Sequence, residues 1–299
     1  MPAMSHSLNS PHRPIRSFVL RQGRLTDAQG DLLQTLLPRY RIDPAAPWTH
    51  PWGDGRPLAL EIGFGNGEHL AALAASRPGW GFIGAEVHGP GVGALLLRMR
   101  DEELHNIRIL KDDVAPWLAT LPDGCLQAII IQFPDPWPKK RHHKRRLIQP
   151  AFAGTLARLL AAGGELQLAT DWEAYARHML SILDAEPNLV NTAGPGHFAS
   201  RPANRIPTRF ERRGERLGQR SFDLVYRRPA CRRAPVFPTV CIAPCATAAF
   251  SPDCPWTICA PGSRQNGSGC GGQFPLWQRS GHGPRPGRGH GNGDGRAAG

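Results

Sequence analysis

The residues best suited to chemistry lie where an apolar run ends in a single acid, Asp135. The unbroken β-branched residues 129–131 are typical of a strand that is covered on both faces of its sheet. Prolines at 134, 136 and 138 end that strand, because proline cannot donate a ladder hydrogen bond and fixes its own φ. Trp137 lies beside the acid, where it could equally stack on an exposed base or close the core.

A basic segment, residues 139–146, follows the acid directly. Its sequence, KKRHHKRR, contains six Lys and Arg residues and two His. Such a run is ordinarily a solvated surface, but its place beside a lone acid at a rigid strand end favours contact with RNA phosphates. The two histidines have no third ligand at a suitable spacing, so no metal site is expected. The pattern predicts chemistry on a nucleic acid.

Alternating strand and helix patterns must position the acid. Strands are predicted at residues 58–63, 81–87, 107–113, 126–133 and 165–171, and helices at 68–76, 91–103, 147–160 and 172–185. The glycines at 163 and 164 are expected to end the third of these helices. Strand–helix alternation with glycine-marked turns predicts an α/β fold with a doubly wound, mostly parallel sheet. Residues 189–190 and 221–228 are expected to add a terminal antiparallel pair.

Acids recur at or near the ends of the predicted strands. They are Glu61, Glu86, Asp113, Asp135 and Asp171. A single acid at a strand end is more often a helix cap or a turn former, whereas acids at corresponding positions of successive strands favour a shared site. Because ligands of doubly wound sheets bind beyond the carboxyl ends of the strands, we expect these acids on one rim.

A glycine turn, with Gly63, Gly65 and Gly67, follows the first predicted strand and lets the backbone approach a nucleotide-like ligand. Its spacing differs from the G-x-G-x-x-G pattern that binds a pyrophosphate at a helix N-terminus. Glu61 would repel a phosphate but suits an ammonium group, and Glu86 suits a ribose diol.

Asp113, or its neighbour Asp112, could accept a hydrogen bond from an adenine amino group. An ammonium group, a ribose and an adenine without phosphates together describe S-adenosylmethionine. A nicotinamide-dependent dehydrogenase is the weaker alternative for the glycine turn. A non-catalytic RNA-binding module that has kept this fold is a third hypothesis, and binding of the methyl donor measured by calorimetry would exclude it.

The overall charge agrees with a polyanionic partner. The formal net charge is +12 and the isoelectric point is about 10.1. No apolar run approaches the roughly 20 residues that span a bilayer, and the first 14 residues lack the apolar stretch of a signal peptide. We expect no membrane partner and a cytoplasmic location.

Composition divides the chain into a leader (1–15), a basic arm (16–56), a body (57–228) and a tail (229–299). The leader is expected to be disordered. The arm could cap the edge of the body or bind RNA directly. Six of the seven cysteines and many Gly and Pro residues lie in the tail, which is expected to be disordered or to result from a frameshift.

The chain resembles the bacterial tRNA (guanine-N7-)-methyltransferases, the TrmB family, over residues 16–228. The resemblance is carried by LEIGFGNG at 60–67, the run from Phe133 to Arg146, ATDWE at 169–173 and TRFE at 208–211. It implies a Rossmann-like class I fold with a seven-stranded sheet. It also implies methyl transfer from S-adenosylmethionine to N7 of the variable-loop guanine, position 46 of tRNA, giving 7-methylguanosine.

The resemblance also implies roles for individual residues. The methyl donor is expected to contact Glu61, Glu86, Asp113 and Asp135 around the glycine turn, with Asp135 as the active-site acid. Substrate contacts are expected from Lys139, Asp171, Thr208, Arg209, Phe210 and Glu211. RNA contacts are expected from Arg141, His142, His143, Lys144, Arg145 and Arg146. The choice between a monomer and a homodimer stays open.

The resemblance ends near residue 228, so a variant that lacks residues 229–299 is expected to keep near-full activity. Methyl transfer to bulk tRNA, measured for the shortened and full-length chains side by side, tests this expectation. A large loss of transfer in a shortened chain with an unchanged melting temperature would contradict it.

Overall fold

The computed structural model describes residues 17–18, 23–206, 211–212 and 220–230. A seven-stranded sheet runs in the order β3-β2-β1-β4-β5-β7-β6. Its strands are β1 (Leu58–Ile62), β2 (Gly81–Ala85), β3 (Ile107–Leu110), β4 (Leu126–Gln132), β5 (Leu160–Thr170), β6 (Val190–Asn191) and β7 (Phe222–Arg227). Strands β1 to β5 are parallel, and β7 is antiparallel to both β5 and β6. The predicted doubly wound sheet and its terminal antiparallel pair are confirmed.

Helices cover both faces of the sheet. They are α1 (Asp27–Thr35), α2 (Leu37–Tyr40), α3 (Glu68–Ser76), α4 (Gly89–Asp101), α5 (Val114–Thr120), α6 (Pro150–Leu159) and α7 (Glu173–Asp184). One apolar core contains residues of α5, α6 and α7, and the other contains residues of α1 to α4. Burial on both faces explains why β1 and β4 read as continuous apolar runs. This double packing holds the carboxyl ends of β1 and β4 side by side.

The end of α6 differs from the prediction that Gly163 and Gly164 stop the helix. Helix α6 ends at Leu159 and β5 begins at the next residue, so both glycines lie inside the strand. The pairing with β4 shifts between Leu126 and Ala128, and Gly163 takes a positive φ of 77°. The glycines therefore belong to an irregular part of β5. Glycine is common at such strand irregularities as well as at helix ends.

The third predicted strand is shorter than expected, and the helix after it was not predicted. Strand β3 ends at Leu110, and Asp113 is the N-cap of α5. The Asp113 carboxylate accepts a hydrogen bond from the Ala115 N–H at 3.1 Å. The seven-residue α5 is too short for its apolar periodicity to stand out in the sequence.

The described part of the N-terminal arm packs against the edge of the sheet. Helix α1 starts with a capping box between Thr26 and Gln29, and the Gln29 amide also reaches the Pro90 carbonyl of α4. The Ile42 N–H donates to the Ile109 carbonyl at 2.8 Å, so the arm pairs with the outer edge of β3. These contacts support the capping interpretation, and RNA binding by the arm stays a prediction.

The remaining expectations about the ends of the chain concern residues 1–15 and 231–299, which lie outside the described residues. In the described part, no helix is both long enough and apolar enough to cross a membrane.

Substitution Gly67→Ala is expected to destabilise the fold. Gly67 has a φ of 72°, and an added Cβ would lie 2.7 Å from Leu95 Cδ1 of α4. The strained backbone and the overpacking should lower the free energy of unfolding by about 2–4 kcal/mol, measurable by urea denaturation. Gly79→Ala is the matched control, because an added Cβ there meets nothing within 4 Å. Equal stability of the two variants would contradict the assignment of Gly67 to helix packing.

Candidate active site

A cavity of about 350 Å³ lies at the carboxyl ends of the parallel strands. Its walls come from the turns after β1, β2, β3 and β4, which is the expected ligand site of a doubly wound sheet. The predicted site residues that line it are Gly63, Gly65, Glu86, Asp112, Asp113 and Asp135. Its volume falls within the range of small-ligand sites. Four of the five expected strand-end regions therefore contribute to one site.

The first two glycines of the turn face this cavity. Gly63 and Gly65 have φ values of 74° and 59°, and a Cβ added to either would meet nothing within 4 Å. The backbone conformation favours glycine at both positions, and the absence of a side chain leaves room for a ligand against the main chain. Gly67 does not line the cavity, and its missing Cβ lets α3 approach Leu95.

Glu86 fastens the glycine turn to the end of β2. One carboxylate oxygen accepts from the Gly65 N–H at 3.0 Å. The other accepts from the N–H groups of Val87 and His88 at 2.8 and 3.0 Å. A carboxylate has about four acceptor positions, so acceptor capacity remains for a hydroxyl in the cavity. Glu86 thus shapes the turn and can also bind a ligand.

Asp112 and Asp113 both line the cavity. The Asp112 carboxylate accepts from the Asp113 N–H at 2.7 Å, while the Asp113 carboxylate caps α5. The choice between them as an adenine contact stays open, because each uses one oxygen in these bonds.

Glu61 lies beneath the glycine turn and does not line the cavity. Its side chain is buried, and one oxygen lies 3.0 Å from His69 Nδ1, also buried, on α3. An ammonium contact at Glu61 stays a prediction, and this structure pairs the carboxylate with an imidazole.

Asp135 lies in a turn, residues 133–137, that is bounded by two non-glycine residues of positive φ. Phe133 has a φ of 49° and Trp137 one of 43°. Such conformations cost about 1–3 kcal/mol each and persist only where the surroundings hold them. Phe133 N–H donates to the Ala169 carbonyl at 2.8 Å, and Trp137 Nε1–H donates to the Ser17 carbonyl at 3.0 Å. The turn holds Asp135, whose side chain is exposed, at the cavity wall.

The ring of Trp137 is enclosed by its own loop. The Arg145 guanidinium lies over it at 5.0 Å, and His142 meets its edge at 5.8 Å. Of the two interpretations left open for Trp137, these contacts favour the structural one.

The basic segment contains a 3₁₀ helix, Lys140–Arg145. Its exposed cations are Lys139, Lys140, Arg141, Lys144 and Arg145. Desolvation, together with the nearby charges of Arg141, Arg145 and Lys139, lowers the pKa of His142. The lowered pKa favours the neutral form of His142, and the permanent positive charges of the segment are those of its Lys and Arg residues.

The structure places Arg146, one of the expected RNA contacts, inside the protein. Its side chain is buried, Nε donates to the Pro136 carbonyl at 2.9 Å, and the guanidinium lies 4.9 Å from the Tyr175 ring centroid. Burial lowers its pKa, and the Tyr175 hydroxyl beside it has a pKa raised by burial to about 12. Arg146 thus supports the 133–137 turn from inside the protein.

The structure describes only some of the residues that were expected to bind substrate. Thr208, Arg209 and Phe210 lie outside the described residues. Glu211 is buried, and both of its carboxylate oxygens accept from the Arg205 guanidinium, at 2.7 and 2.8 Å. Lys139 and Asp171 are exposed and do not line the cavity.

Several residues of the site carry no recognisable signal in the sequence. Ser17 and Phe18 of the arm line the cavity, as does Gln132 at the end of β4. Arg205 lies in a basic loop, residues 201–214, and no motif there distinguishes it from the other arginines. No group of three or more His, Cys, Asp or Glu residues within the described ranges could hold a metal ion.

Comparison with known proteins agrees with this geometry. Residues 55–224 match the family model described as "Putative methyltransferase". The tRNA (guanine-N(7)-)-methyltransferase of Acidithiobacillus ferrooxidans is 60% identical over 225 residues, which cover 75% of this chain and 99% of that protein. The chain belongs to the tRNA (guanine-N(7)-)-methyltransferase family. The family identified from the sequence motifs is therefore confirmed.

A second member of the tRNA (guanine-N(7)-)-methyltransferase family, from Methylococcus capsulatus, is 54% identical over 221 residues, covering 73% of this chain and 96% of that protein. Among solved structures, the 16S rRNA methyltransferase KamB matches with a TM-score of 0.43 and 13% identity, covering 70% of this chain and 96% of that chain.

Arg145 and Arg146 should respond differently to substitution. Arg145→Ala is expected to weaken tRNA binding and to reduce the slope of log affinity against log salt by about 0.7–0.9, the loss of one phosphate contact. Arg146→Met should leave that slope unchanged and lower the free energy of unfolding by about 1–3 kcal/mol, because the Pro136 carbonyl loses its donor. Filter binding at several salt concentrations and urea denaturation measure the two effects. Equal salt slopes for the two variants would contradict the assignment.

Proposed function

We propose that this protein transfers the methyl group of S-adenosylmethionine to N7 of a guanine in tRNA, and that the guanine is the variable-loop residue at position 46. The observation that carries the proposal is that Asp135 links the cavity to the basic segment. Asp135 lines the cavity at the ends of the strands, and the exposed cations begin at Lys139, shortly after it in the chain.

The cavity wall suits the methyl donor. Gly63 and Gly65 leave the main chain open to its methionine part, Glu86 can accept from a ribose hydroxyl, and Asp112 or Asp113 can accept from the adenine amino group. The donor supplies an electrophilic methyl carbon on a sulfonium centre. No phosphate is needed to explain any of these contacts, which weakens the dehydrogenase alternative.

The target atom determines what Asp135 has to do. Guanine N7 carries a lone pair and no proton, so a general base has nothing to remove from it. The main task is alignment of the reacting atoms at about 3–3.5 Å, which can contribute roughly 7–11 kcal/mol to catalysis. We assign Asp135 to positioning the reactants. Its carboxylate accepts hydrogen bonds from the N1 and N2 groups of the guanine or from the ammonium group of S-adenosylmethionine.

Charge supports the same assignment. Methylation leaves a positive charge on the imidazole part of the guanine, and carboxylates at the cavity stabilise that charge. Asp112, Asp113 and Asp135 line the cavity, and no Lys or Arg side chain is among the described residues that line it. The cations are exposed on the neighbouring basic segment, where they can bind tRNA phosphates.

The tRNA must present its guanine outside a regular helix. The major groove of an RNA helix is deep and narrow and hides N7, whereas a loop guanine can be splayed out. A loop guanine fits a cavity that opens beside a basic surface. With tRNA as the partner, a cytoplasmic location follows, and the protein acts as a monomer or a homodimer.

Asp135→Asn tests the central assignment. Replacing one carboxylate oxygen by an N–H₂ donor is expected to reduce methyl transfer by about 10²-fold or more, as for other preorganised polar groups, with tRNA binding largely intact. Labelled methyl transfer to bulk tRNA, followed by nucleoside analysis for 7-methylguanosine, measures the effect.

Asp123→Asn is the control, because Asp123 is exposed and pairs with Arg158 away from the cavity. Wild-type transfer to another position of guanine would overturn the proposal. Full activity of Asp135→Asn would remove Asp135 from the reaction, and failure of the wild type to bind the methyl donor in calorimetry would favour the non-catalytic alternative.

A further inference from the structure

A buried arginine, Arg205, lies in the loop before β7. Its side chain is 2% exposed. Nη1 and Nη2 donate to the two carboxylate oxygens of Glu211 at 2.7 and 2.8 Å. Nη2 also donates to Asp223 Oδ2 at 3.0 Å, and Nε lies 2.6 Å from Asp223 Oδ1 as a close ion pair. The planar fork of one guanidinium thus meets two carboxylates, a geometry that lysine cannot reproduce.

Both carboxylates are themselves withdrawn from water. The side chain of Glu211 is 0% exposed and that of Asp223 is 6% exposed. Arg201, which is partly exposed, also contacts Glu211. Removing one partner from such a buried group leaves an uncompensated charge, so the arrangement is held in one geometry. Glu211 therefore anchors the loop in this structure, and the substrate contact implied by the resemblance stays a prediction.

Arg205 also reaches the 133–137 turn. Its guanidinium carbon lies 5.8 Å from the ring centroid of Phe133, within the range of a cation–π contact. Phe133 is the residue of positive φ that begins the turn, and its N–H bonds to Ala169 of β5. Asp223 is the residue of β7 that pairs with Ala169. One side chain therefore connects the loop before β7, strand β7 and the turn that presents Asp135.

We propose that Arg205 is a positioning residue for methyl transfer. It acts through Phe133 on the position of Asp135, and its bonds to Glu211 and Asp223 hold its guanidinium in place. This inference rests on the proposed function, since it concerns how the same site is held. It predicts that the fork of Arg205, and not its charge alone, is needed for turnover.

Arg205→Lys tests the proposal, because it keeps the charge and loses the fork. A displacement of about 1 Å in a catalytic group can cost about 10²-fold in rate, and we expect kcat to fall by about this factor. Affinity for S-adenosylmethionine, measured by calorimetry, should fall by much less than kcat, because Arg205 itself does not line the cavity. Arg227→Lys is the matched control: Arg227 pairs with Glu165 across the same two strands but is exposed.

Asp223→Asn is a second variant for the case in which Arg205→Lys fails to fold. It keeps the shape of the side chain and weakens one of the two ion pairs, so a smaller fall in kcat that exceeds any fall in affinity for S-adenosylmethionine supports the proposal. Unchanged kcat in either folded variant overturns it, as does an equal fall in the Arg227→Lys control. Absence of methyl transfer by the wild type would instead overturn the proposed function.

Discussion

The site depends on a turn that must be held against its own backbone preference. Phe133 and Trp137 lie on either side of Asp135, and both have positive φ values that residues other than glycine rarely adopt. The contacts that hold this turn come from outside it, namely from the Ser17 carbonyl, the Ala169 carbonyl and the side chains of Arg146 and Arg205. Three prolines limit the backbone conformations that the turn can adopt, and these contacts select one conformation.

The cations near this turn divide into two groups by burial. Arg146 and Arg205 are enclosed and bond to protein carbonyls, carboxylates or rings, whereas the exposed cations of the basic segment have their charges in water. The first group gives the cavity wall its shape, and the second suits a polyanion. A net charge counts both groups equally, although only the interactions of the exposed group should weaken with ionic strength.

The order and type of the elements followed from the sequence because strands covered on both faces produce unmistakable apolar runs. Strand β1 and helix α3 were predicted nearly residue by residue, and three of the five expected acids, Glu86, Asp113 and Asp135, line the cavity. The direct passage from α6 to β5 was not, since a glycine pair suits a helix end and a strand irregularity equally well. The burial of Glu61, Arg146 and Glu211 was also missed, because a charged residue is expected at the surface and none of the three forms a recognisable motif with its nearby partner.

The bond between Trp137 and Ser17 joins residues that are 120 positions apart in the chain. Contacts of such separation form late in folding, because the entropy of closing the loop must first be offset by other contacts. The Ala169 contact likewise requires β5 to be in place. We expect the sheet to assemble before Asp135 reaches its final position. A chain still emerging from the ribosome would then have a partly formed donor cavity but no competent centre, and would not modify RNA around it until the arm had docked.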